Sequence, residues 1–246
     1  MPADDLVLIT GASGGLGVAL TEYLLANGWR NLVCQYRTRP DRIGEVLSRS
    51  GLEPSERLVQ ADLTDEGQIA SLHERIRGSC GPLFGLVTLA GASSNSMSWK
   101  LSRQEFQKTI DANLLSTFLA CREFVPEMRE QQHGRIINVS SVVAYTGVAG
   151  AAHYAAAKAG VIGFSKSLAL ELAPKNVVVS ALALGYFAYG LIDSVPEEQQ
   201  QQIKSRIPTR RFGVRDEIGG LIAYLLSDAG SYAGGQIFHL NGGLYS

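Results

Sequence analysis

Residues 6–10, LVLIT, run straight into Thr10-Gly-Ala-Ser-Gly-Gly-Leu-Gly17, and an apolar stripe at helical spacing, Leu16, Leu20, Tyr23 and Leu24, follows at once. This junction constrains the fold more than any other part of the chain. Gly11, Gly14, Gly15 and Gly17 fall within seven residues. They allow a tight turn whose bare backbone, with Ser13 and Leu16, points N–H groups and a helix dipole at a pyrophosphate. Short apolar runs at 31–36, 57–61, 83–89, 135–140, 177–184 and 236–240 repeat the strand signal. Several are near-continuous Val/Leu/Ile, as expected of parallel strands covered on both faces. Helical stripes lie between them: Leu114, Phe118, Cys121, Val125 and Met128, then Val161, Phe164, Leu168 and Leu172. The alternation predicts an α/β fold, a Rossmann-like doubly wound seven-stranded parallel sheet with helices on both faces. No linker or internal repeat divides it, so a single domain over 1–246 is expected.

Composition excludes several functions. With 22 Lys+Arg against 23 Asp+Glu the net charge is −1, so there is no basic footprint and no nucleic-acid partner is expected. Cys34, Cys80 and Cys121 form no CxxC pair, and His73, His133, His153 and His239 are scattered. The cysteines are expected to be reduced thiols, and no metal site is expected. The opening MPADDLVLIT lacks the basic region and apolar core of a signal peptide. The uncharged stretch 176–192 in the C-terminal half is too short and glycine-broken for a membrane helix. A cytoplasmic protein without a membrane partner is the expectation.

The end of the second strand selects the dinucleotide. An acid there holds a ribose 2′-hydroxyl, but this chain has Arg37, with Arg39 and Arg42 behind it and no Asp or Glu between Trp29 and Pro40. A guanidinium pairs with a 2′-phosphate, which favours NADPH (or NADP) as cofactor. Asp62, with Leu63, ends the third strand on the binding edge, where it meets an adenine or else caps a helix, a role Asp65 could fill equally. Tyr154 and Lys158 stand four residues apart on one helix face, and Ser141 follows the fifth strand. A phenol is a poor acid–base group near neutrality unless a neighbouring cation stabilises its phenolate. Ser141 would bond a substrate oxygen as charge develops there.

Together these segments resemble the short-chain dehydrogenase/reductases, above all the bacterial 3-oxoacyl-(acyl-carrier-protein) reductases. The resemblance spans the chain: TGASGGLG at 10–17, DLTD at 62–65, the helix of Asn113, HGRIINVSS at 133–141, YAAAKAG at 154–160 and GGQIFHLNGG at 234–243. It implies a catalytic set of Ser141, Tyr154, Lys158 and Asn113, with Asn113 kinking its helix and anchoring a relay water. Lys158 and Tyr154 would also touch the nicotinamide ribose, and Ala90, Gly91, Gly185 and Phe187 would line the cofactor. The resemblance also implies hydride transfer between NAD(P)H and a carbonyl or alcohol. It implies a homotetramer too, joined through helices around 102–131 and 154–173 and through the C-terminal strand. Residues 186–208 correspond to the substrate lid.

This chain departs from the family pattern at several points. Asn-Asn-Ala-Gly after the fourth strand reads Thr88-Leu89-Ala90-Gly91, Pro-Gly after the sixth reads Leu184-Gly185, and the usual threonine beyond is Tyr189. The two basic positions where such reductases dock acyl carrier protein are Gln132 and Lys175. The lid opens with aromatic, uncharged residues, Tyr186, Phe187 and Tyr189, suited to an apolar acyl chain or simply to packing the lid down. Arg206, Arg210 and Arg211 either attract the carrier or are solvated. The leading expectation is an NADPH-dependent ketoreductase acting on a carrier-bound β-ketoacyl thioester of the fatty-acid or polyketide type. The competing ones are an alcohol or sugar dehydrogenase acting on a free small molecule and a non-catalytic dinucleotide-binding subunit.

Overall fold

The computed structural model describes residues 5–246. The reading of the opening MPADDLVLIT rests partly on residues 1–4, which lie outside the described residues. Seven strands form one parallel sheet: β1 (Leu6–Thr10), β2 (Leu32–Tyr36), β3 (Leu58–Gln60), β4 (Leu83–Thr88), β5 (Gly134–Ser141), β6 (Val177–Leu184) and β7 (Ile237–Leu240). Their order is β3-β2-β1-β4-β5-β6-β7, with every pair parallel. Each strand coincides with an expected apolar run. β1 and β4 are buried at every residue, as strands covered on both faces must be. The chain winds outward from β1 in one direction and from β4 in the other. The crevice between their carboxyl ends is therefore the topological switch point where ligands bind in such sheets.

Two apolar clusters cover the sheet. One gathers Val7, Ile9, Leu20, Leu24 and Ile222, and the other gathers Leu8, Leu72, Phe124, Ile136 and Leu172. The stripe expected from Leu114 to Met128 needs correction. The segment is an α-helix (Arg103–Ile110), a π-helical turn (Asp111–Leu115) and a second α-helix (Ser116–Gln131). The wider π turn rotates the face that follows. Leu119, Cys121, Phe124 and Met128 are buried, whereas Phe118 is 38% exposed and meets Phe164 edge-on with ring centroids 5.9 Å apart.

The structure also shows what stands in for the absent asparagines. Thr88 Oγ1 donates to Asn138 Oδ1 at 3.0 Å, and Asn138 Nδ2 donates to Ser165 Oγ at 3.0 Å. Ser165 Oγ in turn donates to the Val161 carbonyl at 2.7 Å. β4, β5 and the helix Ala152–Leu172 are thus joined by one buried polar chain whose members are satisfied. Cys34 and Cys121 are buried free thiols, each pushed by burial up to about 12, and Cys80 is a half-buried free thiol. Among the described residues no helix is long and apolar enough to cross a membrane.

Candidate active site

The glycine turn ends β1 and starts the helix Gly15–Ala26. Gly11 has φ +64°, and a Cβ there would lie 2.7 Å from the Ala90 Cα, so glycine is required both for the turn and for the approach to the end of β4. Thr10 Oγ1 accepts from the Leu89 and Ala90 amides at 3.2 and 3.3 Å, locking the two strand ends together. Between them opens a solvent-facing cleft of about 240 Å³. Of the expected dinucleotide residues, Gly11, Ser13, Gly14, Arg37, Asp62, Leu63, Ala90 and Gly91 line it.

Gly15 and Leu16 lie at the edge of this cleft, under the start of the lid. A Cβ on Gly15 would run into the Gly190 backbone, with Gly190 Cα 2.7 Å away. Gly17 packs on Ala12, and Gly185 packs on Asn241. The Phe187 ring is buried against Gly213, beside a second cavity lined by Tyr186, Thr209 and Asn241. The structure therefore gathers the adenosine-side residues of the expected set and places the Phe187 side chain apart from them.

The ambiguity at Asp62 is resolved by hydrogen bonding. Asp65 caps the helix Glu66–Cys80 by accepting from the Gln68 amide. The Asp62 carboxylate accepts from the Thr64 amide at 3.0 Å and from its hydroxyl at 2.7 Å. The bond from the Thr64 amide above all, then that from its hydroxyl and the charge of Arg37, hold Asp62 below the usual carboxylate range. Arg37 thus faces the cleft near one acid that is already satisfied.

Ser141, Tyr154 and Lys158 meet at the carboxyl end of β5. The Ser141 side chain lies close enough to the Tyr154 hydroxyl to oppose the effect of burial on it, and Lys158 Nζ stands 5.8 Å from the Tyr154 ring centroid. Two bonds pin the tyrosine helix to β5. Lys158 Nζ donates to the Val139 carbonyl at 3.0 Å, and Ser140 Oγ donates to the Lys158 carbonyl at 2.7 Å. Burial pushes the Tyr154 phenol up to about 12 and the Lys158 ammonium down to about 8. Desolvation acts against the charged form of each group.

Asn113 sits in the π turn, fully buried. Its Nδ2 donates to the Ala92 and Thr109 carbonyls at 2.7 and 2.9 Å, while Oδ1 has no partner among the described residues. That orphaned oxygen lies 2.5 Å from the position a Cβ on Gly91 would take, and Lys158 Nζ lies 3.6 Å from the same point. Asn113 and Lys158 therefore converge on the inner end of the cleft.

Sequence reasoning missed further lining residues: Gln35, Thr38, Thr64, Ala112 and Ser116. A signal existed for Gln35, a polar residue inside the apolar run of β2. It also missed His153, buried directly before Tyr154, whose Nε2 lies 3.1 Å from Ser94 Oγ. That contact ties the tyrosine helix to the segment after β4, and the bond from the Ser96 amide to the Gly150 carbonyl at 2.9 Å ties the turn before that helix to the same segment.

A glycine turn at the switch point of a doubly wound sheet, with a serine, a tyrosine and a lysine at its inner end, defines an oxidoreductase built around a nicotinamide dinucleotide. The chain belongs to the short chain dehydrogenase family, whose model matches residues 5–200. It is 35% identical over 237 residues to Nodulation protein G of Rhizobium sp. (strain N33), covering 96% of this chain and 95% of that protein. It is 34% identical over 241 residues to the 3-oxoacyl-[acyl-carrier-protein] reductase FabG of Escherichia coli (strain K12), covering 98% and 97%. The reductase of the same name from Staphylococcus aureus (strain Mu50 / ATCC 700699) is also 34% identical over 241 residues, covering 97% of both chains.

Proposed function

We propose that this protein, as one domain over 1–246, is an NADPH-dependent ketoreductase that converts a carrier-bound β-ketoacyl thioester to the β-hydroxyacyl form. The observation that carries the reading is the meeting of Ser141 and Tyr154 at the end of β5, with Lys158 one helical turn further on, 5.8 Å from the Tyr154 ring centroid and bonded to the Val139 carbonyl. The names of the E. coli and S. aureus relatives support the substrate class.

The cleft fits a dinucleotide. Its floor is bare at Gly11, an Asn113 oxygen with no partner among the described residues lies against Gly91 at its inner end, and its outer end presents Arg37 with no acid on β2. Gly11, Ser13, Gly14, Ala90 and Gly91 would hold the dinucleotide backbone, and Arg37 would hold its 2′-phosphate. When bound, the reduced nicotinamide supplies a hydride to the keto carbon. Ser141 orients the substrate oxygen, Tyr154 delivers a proton to that oxygen, and the Lys158 ammonium stabilises the resulting phenolate.

The carrier is met by Lys175. Its neighbour Asn176 donates to the Gln132 carbonyl at 2.8 Å and holds the two expected docking positions in one corner. Arg211 is engaged elsewhere, in a two-pronged pair with Glu217, and Arg210 bonds the Ser205 carbonyl. The half-exposed Phe118 beside Phe164 supports association into a homotetramer through these helices.

Tyr154→Phe tests the reading. Turnover of a β-ketoacyl thioester should fall by about 10²-fold or more, while NADPH binding, followed by its fluorescence, is kept. Turnover at the wild-type rate in this variant overturns the assignment.

A further inference from the structure

Gln35 is 2% exposed, and both polar atoms of its side chain are bonded within the chain. Its Oε1 accepts from the Gly11 amide at 2.8 Å, its Nε2 donates to the Ala61 carbonyl at 2.6 Å, and its own carbonyl accepts from the Ala12 amide at 2.9 Å. Gly11, Gln35 and Ala61 all line the cleft. Gly11 is the first residue of the phosphate turn, and Ala61 directly precedes Asp62 and Leu63. One side chain therefore spans the cleft floor from lip to lip, in the half where Arg37 stands.

We propose that Gln35 is the positioning residue of the adenosine half of the cofactor site, fixing the gap between the glycine turn and the end of β3. The inference rests on the dinucleotide reading of the cleft. Both hydrogen bonds are buried, so an apolar side chain of equal length leaves a donor on one lip and an acceptor on the other without partners. Water or a relaxed turn must then satisfy them, and the lips lose their fixed spacing. Preorganisation is lost at the adenosine end only, because Ser141, Tyr154 and Lys158 are held by β5 and their own helix.

The test uses the full chain and two ligands, NADPH and 2′,5′-ADP, the latter carrying only the adenosine half. In Gln35→Met both should bind about tenfold more weakly by calorimetric titration. The kcat at saturating NADPH and the KM for the ketoacyl substrate should stay within twofold of wild type. An unchanged Kd for 2′,5′-ADP overturns the proposal even if the melting temperature drops, since that is the mark of a merely structural residue. A kcat that falls in step with affinity also overturns it. If Gln35→Met does not fold, Gln35→Asn keeps an amide in the site but is one methylene too short to reach both lips. It should weaken 2′,5′-ADP several-fold, and wild-type affinity refutes the role. A wild-type protein that binds 2′,5′-ADP yet reduces no ketoacyl thioester would sink the proposed function and leave the Gln35 assignment standing. If wild type prefers NADH, the same comparison with 5′-AMP decides it, and binding of neither nucleotide rejects it.

Discussion

Gly190, at the start of the lid, lies against the bare face of Gly15 on the phosphate turn. A Cβ added to Gly15 would sit 2.7 Å from the Gly190 Cα and 3.1 Å from the Tyr189 carbonyl carbon. Gly190 itself has φ +84°, and its amide donates to Asp193 Oδ2 at 3.1 Å. The lid and the cofactor turn are thus one packed unit.

Gly15→Ala separates two opposing effects. Helix propensity alone would favour alanine by at most about 1 kcal/mol, whereas forcing a methyl into packed backbone costs about 1–3 kcal/mol. The clash is with backbone rather than a flexible side-chain end, so it should win. Urea denaturation should show a net loss, and trypsin should cut faster at Lys204 or Arg206 within the lid. A stabilised, protease-resistant variant would show that Gly190 is not seated there.

The Lys158 ammonium, pushed down to about 8 by burial, gives stability a defined pH dependence. Between about pH 8 and its unfolded value near 10.4, the unfolded chain binds the proton that the folded chain has released. Stability from this group therefore rises with pH across that window. Tyr154, raised to about 12, acts oppositely. Its contribution is present below its unfolded value near 10 and is lost as pH rises through 12. From pH 8 to 10 the urea midpoint of the wild type should rise relative to that of Lys158→Met, and parallel curves would refute the assignment. Ketone reduction should decline above about pH 8 as the ammonium is lost.

Arg37→Ala addresses the choice of cofactor. The guanidinium pairs with a 2′-phosphate and has little to offer a bare ribose. The KM for NADPH should rise about tenfold or more, with that for NADH changing less than twofold. Equal effects on both cofactors would place Arg37 outside the recognition site.

Thr88→Val keeps the shape of the buried site but removes the donor to Asn138 Oδ1, leaving Cys121 Sγ at 3.6 Å as its partner. Loss of one buried hydrogen bond should cost about 1–2 kcal/mol in chemical denaturation. NADPH affinity should be unchanged, because the polar chain runs away from the cleft toward Ser165.

Much of this molecule was legible before folding was considered. All seven strands fall on the expected apolar runs, most legibly β1, β4 and β6, because strands covered on both faces write themselves as near-continuous apolar residues. The Tyr154/Lys158 pair was legible because four residues make one helical turn. Other features were hidden although their causes are local, because apolar spacing and residue type do not carry backbone hydrogen-bond geometry. The rotated face around Phe118 follows from the π turn at Asp111–Leu115, which apolar spacing alone does not reveal. Which of Asp62 and Asp65 caps the helix depended on which carboxylate meets the Gln68 amide and which meets Thr64.

By itself the sequence determined the layers of the fold, the glycine turn and the placing of Tyr154 and Lys158 on one helix face. Each of these is set by interactions between residues two to four apart, or by the bareness of glycine. Only the tertiary structure decided that Gln35 joins the two lips of the cleft, that Gly190 rests on Gly15, and that Asn113 and Lys158 both reach the bare face of Gly91. Those contacts depend on which strands become neighbours in the sheet, and no local periodicity carries that information.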